Sequence, residues 1–158
     1  MSEQRKPTIS VDFDGVLHSY TSGWKGARTI PDLPVPGAIE WLCEIQCDYT
    51  VAISSARSGQ FGGRRAMRNW IKLHGALAFM TAQPGGRLER LLMLPDWQPG
   101  MDYPEDEARH FANCLVQHMQ FPRTKPSAQL YIDDRAHRFD GVFPAAAEIK
   151  AFKPWNKR

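Results

Sequence analysis

Between Thr8 and Phe13 the apolar residues Ile9, Val11 and Phe13 fall on alternate positions, which is the period of a strand, and the run breaks at Gly15. From Ser19 to Gly37 the pattern changes. Three glycines and three prolines stand there among Tyr20, Trp24, Lys25 and Arg28. This is too punctuated for a helix and predicts a loop or short hairpin over the strand end. Pro36 suits the first turn of a helix in which Ala38, Trp41, Leu42 and Ile45 recur at helical spacing. Tyr49 to Ile53 is rich in β-formers and runs into Ser54, Ser55 and Arg57, so a second strand again ends in polar residues. Gly62 and Gly63 precede a second helix with Ala66, Met67, Trp70 and Leu73 on its apolar side, closed by Gly75.

The pattern weakens from Ala76 to Gln120. Leu77 to Met80 reads as a short strand and Gly85 to Gly100 as irregular. Pro104 to Met119 reads as an amphipathic helix, with Ala108, Phe111, Ala112, Leu115 and Met119 on one side. Its acids Glu105, Asp106 and Glu107 fall in the first turn, where the helix dipole favours them. Gln129 to Ile132 is a further strand, ending in Asp133 and Asp134; a short helix near Ala145 to Lys150 and a basic tail complete the chain. Strands alternating with helices predict one α/β domain over residues 1–158: a doubly wound parallel sheet with helices on both faces and an insertion at about 76–120. Such sheets take their ligands beyond the carboxyl ends of the strands, where every polar cluster of this chain falls.

Composition narrows this picture only a little. With 158 residues and 42% apolar content the chain is large enough to bury one full core. The net charge of +3 suits an anionic partner without requiring one. Three cysteines, an odd number, do not make a disulfide framework, and the thiols are expected to be reduced. No apolar run approaches the roughly 20 residues that span a bilayer. A soluble, cytoplasmic protein with no membrane partner is expected.

Candidate chemistry lies in four clusters: Asp12 with Asp14, Ser54 with Ser55, Lys125, and Asp133 with Asp134. Acids gathered at one sheet edge repel unless a cation neutralises them, and a hard, oxygen-liganded ion such as Mg²⁺ fits. Mg²⁺ keeps waters and binds through one or two carboxylates together with phosphate oxygens, so the clusters describe a site for a phosphorylated substrate.

VDFDGV at 11–16, VAISSAR at 51–57, TKP at 124–126 and YIDD at 131–134 together resemble, in order, the four motifs of the haloacid dehalogenase-like (HAD) superfamily. The IDDRA and FKPWNKR stretches are similar to small phage and prophage members. The resemblance implies a Rossmann-like sheet and a Mg²⁺-dependent phosphomonoesterase. Asp12 would be the nucleophile, forming an aspartyl-phosphate, and Asp14 the general acid and then base. Ser55, or alternatively Ser54, would hydrogen-bond the phosphoryl group, and Lys125 would offset negative charge. Asp133 and Asp134 would hold Mg²⁺ together with Asp12 and the main-chain carbonyl of Asp14. The short interval after the first motif and roughly 45 residues after the second imply a capless or minimally covered site, open to a nucleotide or a phosphorylated nucleic-acid end. The competing reading is a non-catalytic phosphate-binding or scaffold protein on the same fold.

Other polar residues carry weaker signals. Arg64, Arg65, Arg68 and Lys72 read first as a solvated helix face and second as a nucleic-acid contact. His18 reads as a loop histidine. Tyr20 and Trp24 either grip a base or fold their loop onto the core.

Overall fold

The computed structural model describes residues 5–82, 104–136, 138, 141–142 and 144–157. In chain order these form β1 (Thr8–Val11), α1 (Ala38–Ile45), β2 (Thr50–Ile53), α2 (Gly63–Thr81), α3 (Pro104–Gln117), β3 (Leu130–Ile132) and α4 (Ala146–Ala151), followed by a 3₁₀ turn at Trp155–Lys157. The three strands make one parallel sheet in the order β2-β1-β3. Gln120 adds a single parallel bridge to Ala52 on the outer edge of β2. The architecture is therefore mixed α/β.

The central strand is buried on both faces, as a parallel sheet requires: Ser10 as well as Ile9 and Val11 is almost fully covered. Val51, Ala52 and Ile53 of β2 are covered completely. The register then fixes what stands at the sheet's carboxyl edge. Val11 pairs with both Ile53 and Ile132, so the three strands finish level. The residues that follow are Asp12, Ser54 and Asp133. The Asp12 amide donates to Ile132 O and the Ser54 amide to Val11 O, both at 2.9 Å, which carries the ladder up to the acids.

Helix α1 buries Ala38, Ile39, Leu42 and Cys43, one stripe of an amphipathic helix. Helices α2 and α3 pack against each other, Phe79 of α2 stacking on Phe111 and Gly75 lying against Leu115, while Met67 and Ile71 are buried in the core. Met67, Ile71, Phe111 and Leu115 belong to the same core as Val11 and Ile53. Residues 104–117 are thus part of the central packing.

Two expectations for the middle of the chain are corrected. Helix α2 does not close at Gly75 but runs to Thr81, so Leu77 to Met80 is helical and not a strand. The reason is tertiary: Gly75 is buried at the α2–α3 contact, where an added Cβ would lie 2.7 Å from Leu115 Cδ2, so this glycine marks a close helix approach and not a cap. Leu73, expected on the buried face, is 56% exposed; Met67, Trp70 and Ile71 form that face. The irregular stretch expected at Gly85 to Gly100 lies outside the described residues. Among the described residues no helix is long and apolar enough to cross a membrane.

Candidate functional site

After β1 the chain turns sharply. The Leu17 and His18 amides both donate to Phe13 O, and the Gly15 amide donates to His18 O at 2.8 Å. Gly15 sits at φ +91°, in the left-handed region, and a Cβ there would lie 2.6 Å from Asp134 Oδ2. A glycine is required by both the conformation and the close approach of that acid. The Trp155 indole donates to Gly15 O at 2.7 Å, tying the end of the described chain to this turn.

Three carboxylates meet beyond the sheet. Asp12, Asp133 and Asp134 each offer an oxygen within 4.8 Å of the others, a grouping able to hold a metal ion. Burial pushes the Asp12 carboxyl up to about 7, reinforced by the charges of Asp133, Asp134 and Asp14, while the Phe13 amide, which donates to Asp12 Oδ1 at 2.8 Å, opposes the shift. Burial also raises Asp134, and neither of its carboxylate oxygens has a hydrogen-bond partner. Arg135 Nε lies 3.7 Å from Asp134 Oδ2, an ion-pair distance beyond hydrogen-bond reach. Buried carboxylate oxygens left without donors beside two further acids are what a bound cation satisfies, so these residues fit a metal ion.

Asp14 has partners of its own. Arg57 Nε donates to its Oδ2 at 2.8 Å and its Oδ1 at 3.1 Å, and His18 Nδ1 lies 2.9 Å from Oδ1. Burial alone would lift the Asp14 carboxyl, but these hydrogen bonds and charges outweigh it and hold the group below the usual carboxylate range. The Asp32 amide donates to His18 Nε2 at 3.2 Å, and Asp32 Oδ2 lies 3.4 Å from the same nitrogen, so the ring bridges Asp14 and Asp32. Arg57, fully buried, also donates through Nη1 to the carbonyls of Gly26, Ala27 and Thr29 and lies 4.7 Å from the Trp24 ring. The loop between β1 and α1 is therefore strapped to the strand end through one guanidinium.

A cavity of about 310 Å³ opens on this edge, lined by Asp12, Asp14, Tyr20, Trp24, Ser54, Ser55, Ala56, Asp133 and Arg135. Tyr20 and Trp24 thus stand on the wall beside the acids. Both expected serines line the cavity. Ser55 Oγ accepts the Arg57 amide at 3.2 Å, and its own hydroxyl proton is left for a further acceptor.

Lys125 is not among the residues that line this cavity. Its ammonium lies 4.2 Å from the centre of the Tyr131 ring, and Tyr131 OH donates to Pro126 O at 2.7 Å. The cation on the cavity wall is Arg135, two residues after Asp133, which sequence reasoning passed over. Sequence reasoning also missed the site roles of His18 and Arg57; the available signals are the four-residue step from Asp14 to His18 around Gly15 and the arginine closing SSAR. Comparison of the chain with protein-family models, curated proteins and solved structures gave no match.

Proposed function

We propose that this chain is a Mg²⁺-dependent phosphomonoesterase of the HAD type, working through an aspartyl-phosphate on Asp12. The single observation that carries the reading is the cluster of Asp12, Asp133 and the donorless Asp134 at the carboxyl edge of a parallel sheet, level with Ser54. The strand order β2-β1-β3, which puts the first strand at the centre with later strands on either side of it, supports a doubly wound sheet.

Asp12, Asp133 and Asp134 would hold the ion, which when bound neutralises their charge and that of the substrate phosphate. With Oδ1 fixed by the Phe13 amide, Asp12 Oδ2 is the oxygen left to attack phosphorus. The bond from phosphorus to the ester oxygen breaks, and that oxygen takes a proton from Asp14 or from water. Water then attacks the acyl-phosphate, losing a proton to Asp14 and releasing phosphate and Asp12. Ser55 donates to the phosphoryl oxygens, and Arg135 faces them.

The non-catalytic reading is favoured by one feature: Asp14 is held ionised by Arg57 and His18, which suits a proton acceptor better than a donor. Intact mass after mixing with an aryl phosphate and Mg²⁺ separates the two. Aryl leaving groups need little protonation, so wild type and Asp14→Asn are expected to show a phosphoryl adduct, with turnover in Asp14→Asn lowered about 10²-fold or more, and Asp12→Asn none. No adduct on any protein, with no turnover, would leave the non-catalytic reading standing.

A further inference from the structure

Beside the acid cavity, on the other side of the turn Ser55–Ser58, lies a larger cavity of about 640 Å³. Its wall carries Arg64, Arg65, Arg68 and Arg123, and among the described residues no carboxylate lines it. A second cavity of about 600 Å³ shares Arg65 and Phe61 with the first and adds Arg28. Phe61 lines both cavities and is 91% exposed.

Two features make this more than a solvated helix face. Arg64 and Arg65 stand in the first turn of α2, which holds no acid, so their charges add to the positive end of the helix dipole and are offset only by an anion. Arg64 Nη1 donates to Phe121 O at 3.3 Å and the Arg68 guanidinium lies 4.8 Å from the Phe121 ring, so both are held in place with further donors left. An exposed aromatic ring lining cationic hollows is the arrangement that takes an unpaired base by stacking while arginines follow the backbone phosphates. An acidic peptide would use the arginines but not the ring, and a duplex would keep its bases out of reach.

We infer that the groove of Arg64, Arg65, Arg68 and Arg123 around Phe61 binds single-stranded nucleic acid and leads it, past the Ser55–Ser58 turn, to the acid cavity. The substrate that follows is a phosphorylated single-strand end. That half rests on the phosphatase reading, while strand binding does not.

The test is fluorescence anisotropy with a fluorescein-labelled oligothymidylate about twelve nucleotides long, in excess chelator so that no turnover occurs. Wild type is expected to bind with affinity that falls with salt at a slope of about −2 to −3 in log–log form, near −0.7 for each of four phosphates. Phe61→Ala should weaken binding about fivefold or more. Arg65→Glu with Arg123→Glu, two exposed side chains, should weaken it about tenfold or more and flatten the salt slope. Failure of wild type to bind, or binding that polyglutamate or duplex matches and Phe61→Ala leaves unchanged, overturns the inference. With a phosphorylated oligonucleotide and Mg²⁺, the double variant should raise KM while hydrolysis of an aryl phosphate stays at the wild-type rate. Absence of all hydrolysis in wild type would remove the phosphatase reading and the substrate half with it, with anisotropy still deciding the groove.

Discussion

At the scale of single residues, the two candidate cations differ in what they face. Lys125 rests on the Tyr131 ring, outside the acid cavity, while Arg135 lines it beside Asp133. Removing a group that stabilises charge on a transferring phosphoryl costs about 10²-fold or more in turnover. Arg135→Ala is therefore expected to lower kcat/KM for an aryl phosphate by roughly that factor, and Lys125→Ala by less than about tenfold. The opposite order would give Lys125 the charge-offset role that the resemblance implies and would require it to leave Tyr131 when substrate binds. Asp12 and Asp133 were legible because each stands directly after a strand-forming segment, where strand period and polarity change at one residue. The partners of Asp14 were not. His18 and Arg57 reach it through a turn and through a contact 43 residues away, and neither leaves a periodic trace in the sequence.

At the scale of elements, the same contrast holds. The strands and α1 were readable from alternation and from helical spacing; the carboxyl part of α2 was not, because Gly75 carries a packing role in a position that otherwise signals a helix end. A second glycine gives a sharper test. Gly63 opens α2 directly on the turn that carries Arg57, and a Cβ there would collide with the Arg57 carbonyl oxygen. That contact is with backbone and cannot be relieved by a rotamer change. Gly63→Ala, which in a free helix would gain about 1 kcal/mol, is expected to lose about 2 kcal/mol or more in urea denaturation. A stabilised variant would show that α2 does not sit on this turn. The strap through Arg57 makes a related prediction. Arg57→Lys keeps the charge but not the fork that reaches Asp14 and three loop carbonyls together. Loss of about 3 kcal/mol is expected, with proteolytic cleavage of the Ser19–Gly37 loop appearing well before global unfolding. Unchanged protease resistance would mean that the loop is held by other contacts.

At the scale of the whole molecule, folding forces acids from opposite ends of the chain into one buried cluster, and this sets how stability depends on pH and metal. The Asp12 carboxyl, ordinarily near 3.8, sits at about 7 in the metal-free fold, chiefly because it is buried. Below about pH 4 it is protonated in both the folded and the unfolded chain and contributes nothing to the difference. Between about 4 and 7 the unfolded chain releases the proton while the native one keeps it, so stability falls as pH rises. Above 7 the native state carries the whole cost of the buried charge, on the order of a few kcal/mol. Asp134, raised in the same direction, adds to the trend. In chelator, the stability of wild type relative to Asp12→Asn is therefore expected to decline from pH 4.5 to 8, since the amide cannot titrate. Mg²⁺ binds the ionised cluster, so adding it should restore wild-type stability most at pH 8 and least at pH 5, and should do less for Asp12→Asn at every pH. Urea midpoints for both proteins across that range, with and without the ion, measure all of this. If wild type and Asp12→Asn keep parallel profiles and Mg²⁺ shifts neither, Asp12 does not belong to a buried, metal-binding cluster and the proposed chemistry falls with it.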